Sequence, residues 1–129
     1  MVAARLTDRA GSSAYLLGVV VSYSNEVKTG VLGVPAELIA ELGAVSEPVC
    51  RGDGRGRPSG DGRRHLRVST TGIAGPTAPG PQTRRHRVLR RQRVAGRETV
   101  TVTRLFPGDR DSVRRLATTA AFHLLAAAL

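Results

Sequence analysis

An α/β domain is the fold class this sequence predicts, and three observations carry that expectation. The run Tyr15-Leu16-Leu17-Gly18-Val19-Val20-Val21 is apolar and short enough for a buried strand. From Glu98 to Leu105, Val100 and Val102 alternate with Thr99, Thr101 and Thr103, the period of a half-buried strand. After Pro107-Gly108, the residues Val113, Leu116, Ala117, Ala120, Ala121, Leu124, Leu125 and Ala128 recur at helical spacing. Strands and helices interleaved in 129 residues suit one layered domain with a modest core.

The elements follow in order. Met1 to Arg9 predicts a short helix with Val2, Leu6 and the alanines on its apolar side, and Gly11-Ser12-Ser13 breaks it. A strand is expected from Tyr15 to Tyr23. Pro35 suits the first turn of a second helix and Gly43 its end, with Leu38, Ile39 and Leu42 on one face. Ser46-Glu47-Pro48-Val49 has the cap, acid and proline of a helix start. Residues 51–62 hold five glycines and a proline, so no helix is expected behind that start. Val68-Ser69-Thr70-Thr71 predicts a strand entering Gly72-Ile73-Ala74-Gly75-Pro76. Asp109 or Asp111 can cap the last helix, and Asp109 with Arg110 suits capping better than substrate contact.

Charge divides the chain. Residues 51–93 hold twelve arginines and two aspartates, while the remainder balances eight Lys/Arg against eight Asp/Glu. The net charge of +10 therefore belongs to the central third, with segments 50–67 and 77–96 anomalous within a single 1–129 domain. That third is expected to be irregular and poor in core residues. Its Arg, Gly, Pro and Ser content is what high-GC DNA yields when read in a displaced frame. Residues 51–63 recoded one nucleotide later permit a helix, starting where the Ser46 cap demands one. The alternative is a true basic insert whose arginine runs bind phosphates nonspecifically. Residues 51–93 contain no Tyr, Phe or Trp for base stacking, so nucleic acid is not an expected partner.

Other classes are set aside. No apolar run is long enough to span a membrane, and the first residues are too polar for a signal peptide, so a cytoplasmic location is expected. Cys50 is the single cysteine, which forbids an internal disulfide. His65, His86 and His123 lack metal-ligand spacing, and no metal is expected.

The candidate chemistry lies in Tyr23-Ser24-Asn25-Glu26-Val27-Lys28. A phenol and an amine five residues apart, where a strand leaves the core, can converge on one pocket. A partly desolvated amine loses its proton more readily and can act as a base. The plainer reading is a surface turn with a solvated lysine.

Further motifs surround that stretch: Leu6-Thr7-Asp8, Gly11-Ser12-Ser13-Ala14-Tyr15, Leu32-Gly33-Val34-Pro35, Gly43 to Val49, Thr71 to Pro76, and Phe106-Pro107-Gly108-Asp109-Arg110. In this order they resemble the CinA carboxy-terminal domain family, the nicotinamide-nucleotide amidohydrolases also called PncC. The resemblance covers residues 2–49, 68–76 and about 97–129. It implies a three-layer α/β/α fold and hydrolysis of the carboxamide of nicotinamide mononucleotide, giving nicotinate mononucleotide and ammonia, in pyridine-nucleotide salvage. It implies no cofactor, a small nucleotide as the partner, and leaves self-association open. Residues 81–93 recoded one nucleotide later permit a Pro-Val-Gly-Thr-Val strand similar to the family's.

In the family a serine attacks the carboxamide carbon while lysine and tyrosine manage its proton. By motif those two are Lys28, as base, and Tyr23, as relay or oxyanion donor, with Asn25 orienting them. Ser12 and Ser13 are implied substrate contacts, although a helix-to-strand connection uses such residues anyway. Thr71, Gly72, Ala74 and Gly75 could present a hydroxyl and backbone N–H groups to a phosphate or oxyanion. A structural turn accounts for those glycines equally well. The family's Ala-Glu-Ser-Cys-Thr-Gly-Gly motif, which carries the nucleophile and follows a first strand, has no match in residues 1–129. The resemblance therefore implies an incomplete fold and an inactive chain. The alternative function is a noncatalytic, basic nucleic-acid-binding module on the same scaffold.

Overall fold

A computed structural model describes residues 1–52, 66–73, 86–93 and 99–129. Among these residues, five α-helices and three strands run in the order α1 (Val2–Thr7), α2 (Asn25–Gly30), α3 (Ala36–Leu42), α4 (Glu47–Gly52), β1 (Leu66–Gly72), β2 (His86–Arg93), β3 (Thr99–Leu105) and α5 (Arg110–Ala126), with a 3₁₀ turn at Ser12–Ala14. The strands form one antiparallel sheet in the order β1-β2-β3.

Side-chain direction defines the two sheet faces. Ser69 Oγ donates to the Cys50 carbonyl at 3.1 Å, and Thr71 Oγ1 donates to the Ala44 carbonyl at 2.9 Å. The α4 side of the sheet is therefore the face of Ser69 and Thr71. Thr70 points the opposite way by strand alternation, and it pairs with Leu89, which pairs in turn with Val102. Leu89 is fully buried on that second face. Helix α5 lies along β1 and β2 and buries Val113, Ala117 and Ala121 at i, i+4 and i+8. Helices packed on a sheet make the α/β fold that the sequence predicts. A smaller core of Val34, Ile39 and Val49 joins α3 to α4, with Leu32, Leu38 and Ala44 packed on it.

Three elements differ from expectation. Residues Leu16–Tyr23 form no strand. Leu17, Val19, Val20 and Val21 are 52–79% exposed, and no strand among the described residues is paired with them. A continuous apolar run carries the propensity for a strand but cannot supply its own hydrogen-bonding partner.

A helix does follow Ser46. Val49 N–H donates to Ser46 Oγ at 3.5 Å, Val49 and Cys50 are buried, and Arg51 holds Glu47 at 2.6 Å. Burial and pairing outweigh the glycine at position 52, which also lets the chain pass close to Val34. A Cβ on Gly52 would lie 3.0 Å from Val34 Cγ2.

Finally, residues 86–93, expected to be irregular, form the middle strand of the sheet. With a ladder on both sides, even a run with four arginines has its backbone groups satisfied by β1 and β3. The recoded helix of residues 51–63 falls largely outside the described residues.

The other predicted elements lie within a few residues of expectation. Leu116, counted on the inner stripe of α5, is 40% exposed. Gly108 precedes α5 with φ of +100°, and a Cβ there would meet Ser112 Cβ at 2.8 Å. Left-handed backbone strain and a clash act together, so Gly108→Ala is expected to lose about 1–3 kcal/mol. A urea melt that superposes on that of the parent chain would refute this. Among the described residues, no helix is long and apolar enough to cross a membrane.

Candidate active site

The motif residues gather at the start of α2. Ser24 is the N-cap, and its Oγ accepts the Val27 N–H at 3.3 Å. Asn25 opens the helix, with Thr29 Oγ1 donating to its carbonyl at 3.0 Å. Glu26 stands in the first turn, where a negative charge suits the helix dipole. The Ser24 hydroxyl, followed by the backbone N–H of Glu26, holds the Glu26 carboxyl below the usual carboxylate range.

One turn later comes Lys28, only 6% exposed. Its N–H donates to Ser24 and its carbonyl accepts the Val34 N–H at 3.1 Å, which ties α2 to the Val34 core. Lysine is almost never fully buried without a structural or chemical reason. The solvated-turn reading of this stretch therefore does not describe the molecule. Sequence reasoning placed no helix here. The signal was present in Ser24 as a cap with Glu26 two residues on.

The other expected residues scatter. Tyr23, just outside the cap, is 89% exposed. Ser12 and Ser13 occupy the 3₁₀ turn, entered through Gly11 at φ +84°. The Tyr15 hydroxyl closes this connection by donating to the Leu6 carbonyl at 2.6 Å. Thr71 is buried, and its hydroxyl is engaged with Ala44. Gly72 ends β1. Ala74 and Gly75 lie outside the described residues. Asp109 caps α5, its Oδ1 accepting the Ser112 N–H at 2.8 Å.

Bonds to Ser112, from the backbone N–H first and the hydroxyl second, hold the Asp109 carboxyl below its ordinary value. A lowered folded-state pKa contributes stability above the unfolded value and loses it as pH falls through the folded one. Asp109→Asn is therefore expected to melt below the parent chain at neutral pH. The gap should close as the pH drops below the ordinary carboxylate range. A gap that stays constant down to acid pH would contradict this role.

Comparison with known proteins gives the family. The family model of the CinA C-terminal domain matches residues 1–129. The chain belongs to the CinA C-terminal domain family. A CinA-like protein of Mycolicibacterium gilvum is 50% identical over 129 residues, covering 100% of this chain and 30% of that protein. A CinA-like protein of Mycobacterium tuberculosis is 44% identical over 125 residues, covering 97% and 29%. The chain thus spans about 30% of the length of the curated relatives it matches.

Among solved structures, competence damage-inducible protein A of Klebsiella pneumoniae superposes with a TM-score of 0.81 at 28% identity, over 98% of this chain and 75% of that one. A CinA superfamily protein of Escherichia coli reaches a TM-score of 0.88 at 20% identity, over 99% and 73%, a likeness of fold alone. CinA membership and the α/β architecture are thereby shown.

Proposed function

We propose that this CinA domain is a nicotinamide-nucleotide amidohydrolase domain whose proton-handling base is Lys28. The observation that carries the reading is the burial of Lys28 behind the Ser24 cap. The fold thus holds this side chain in place beside the residues the motif names, rather than leaving it in solvent. Tyr23 stands one residue before that cap, as relay or oxyanion donor, and Asn25 opens the same helix.

In this reaction a serine oxygen attacks the carboxamide carbon, and its proton passes through the Lys28 amine to the departing ammonia. Water then opens the ester to nicotinate mononucleotide and restores the serine. The serine motif has no counterpart in residues 1–129, so these residues supply the base and the substrate contacts but no attacking group. The substrate is a small nucleotide, and the Ser12–Ser13 turn is the second proposed contact.

Two assays on the purified 129-residue chain test the reading. Calorimetric titration with nicotinamide mononucleotide should show binding in the range of ordinary enzyme affinities, about 1 μM to 1 mM. No heat up to that limit overturns the substrate assignment. Ammonia release should stay at background. Turnover at about 1 per second or faster would overturn the claim that the attacking group is missing.

A further inference from the structure

Lys28 is the sole lysine of the chain, and it is buried on a helix with little support of its own. Helix α2 is six residues long, and among the described elements it packs only against α3. A helix this short is not stable by itself, so its placement comes from contacts outside it. The chain leaves α2 through Gly33, at φ +70°, and doubles back until the Val34 N–H donates to the Lys28 carbonyl at 3.1 Å. The position of Val34 therefore sets that of Lys28.

Val34 is fully buried, and Gly52 of α4 lies directly against it. A Cβ on Gly52 would stand 3.0 Å from Val34 Cγ2, 3.4 Å from Cγ1 and 3.6 Å from Cβ. Both methyls of Val34 thus occupy space that only a glycine leaves open. Gly52 is not among the glycines with positive φ, so its backbone admits alanine and the obstacle is the side chain alone. Helix propensity by itself would favour alanine at this position.

Two hydrogen bonds decide which partner gives way to such a side chain. Ser69 Oγ donates to the Cys50 carbonyl at 3.1 Å, and Thr71 Oγ1 donates to the Ala44 carbonyl at 2.9 Å. Helix α4 and the turn before it are in this way pinned to β1. Val34 has no easy rotamer to escape into, because it is β-branched and shares its cluster with Ile39 and Val49. An overfilled core relieves itself by shifting backbone. With α4 held, the shift falls on Val34 and, through its N–H, on Lys28.

We propose that Gly52 is a positioning residue for the Lys28 amine. Its missing side chain seats Val34 against α4, and Val34 holds the turn of α2 that carries Lys28. Gly52 touches no substrate and transfers no proton. The role of Lys28 as base rests on the amidohydrolase reading, whereas its placement through Val34 and Gly52 does not.

Amine labelling of the native 129-residue chain tests the proposal. Lys28 and the amino terminus are the only primary amines in the sequence, so mass spectrometry of the peptides tells them apart. In a short pulse of acetic anhydride at neutral pH, the amino terminus of the parent chain should be acetylated while Lys28 stays protected. In Gly52→Ala, Lys28 is expected to lose that protection. Adding Val34→Ala removes Cγ1 and Cγ2, leaves the ordinary 3.6 Å contact, and should restore it. Val34→Ala alone leaves a cavity and lowers the urea midpoint, yet should keep Lys28 protected. That variant separates displacement of α2 from loss of stability.

Three results would each overturn the proposal: Lys28 labelled as readily as the amino terminus in the parent chain, protection unchanged in Gly52→Ala, or exposure that Val34→Ala does not reverse. Exposure in Val34→Ala alone that equals Gly52→Ala would do the same. If Gly52→Ala does not fold, the double variant decides. Recovery of the parent circular dichroism spectrum supports the Val34 contact, and a double variant that also fails to fold refutes it. No step uses nicotinamide mononucleotide, so the outcome is separate from the fate of the amidohydrolase reading.

Discussion

Leu89→Ala is expected to cost about 2–5 kcal/mol of folding stability, read as a lower urea midpoint at unchanged slope. Leu89 lies in the basic third of the chain, where composition gives no expectation of a core residue. Yet it is fully buried, in the middle strand, flanked in register by Thr70 and Val102. Helix α5 packs along β1 and β2 with Val113, Ala117 and Ala121 buried. Three of these four core residues are small, so they cannot collapse far into the space a truncated leucine leaves. The upper half of that range follows from this.

Leu89→Asp should prevent folding, since a buried carboxylate there would have no described partner. The measurement separates two views of the segment. If residues 86–93 were an insert attached to a domain that folds without them, Leu89→Ala would leave the urea midpoint where it is. A shift of several kilocalories makes this strand, in the frame in which it stands, part of the cooperative unit.

The second large effect concerns Lys28. The chain extended at its amino end by a strand and the Ala-Glu-Ser-Cys-Thr-Gly-Gly motif is expected to release ammonia from nicotinamide mononucleotide. In that extended chain, Lys28→Met should lower kcat by about 10²–10⁴-fold, the usual contribution of a positioned general base. Methionine keeps most of the buried stem and removes only the amine. Lys28→Arg should be nearly as damaging, because a guanidinium holds the positive charge but does not give up its proton. Retention of activity by Lys28→Arg would show that charge, not a neutral base, is what the site uses. A loss below tenfold in Lys28→Met would remove Lys28 from the mechanism. Thermal melts of each variant separate these effects from damage to the α2–Val34 junction.

Legibility in the sequence varied with how local each cause was. The α5 stripe and the Val-Thr alternation of β3 were readable because each needs only its own residues and one apolar surface. Asp109 was readable as a cap for the same reason: its acceptor serves an N–H three residues away. Helix α2 was overlooked although Ser24 and Glu26 announced it, since the strand expected up to Tyr23 claimed the preceding residues. Lys28 was named by motif. Its burial, which lends the motif chemical weight, depends on α2 being tied back to Val34.

By itself the sequence determined the α/β class, the family and the candidate base, because helix period, strand period and ordered motifs are properties of neighbouring residues. Only the tertiary structure decided which strand-like segments became strands. Tyr15–Tyr23 has the apolar run and lacks a ladder among the described residues, while His86–Arg93 has the charges and gains a ladder on both sides. A strand exists when its backbone groups find partners, and those partners are remote in sequence. The hydroxyl of Thr71 makes the same point. Its motif suggested a ligand, and the fold gave it the carbonyl of Ala44, a residue 27 positions away.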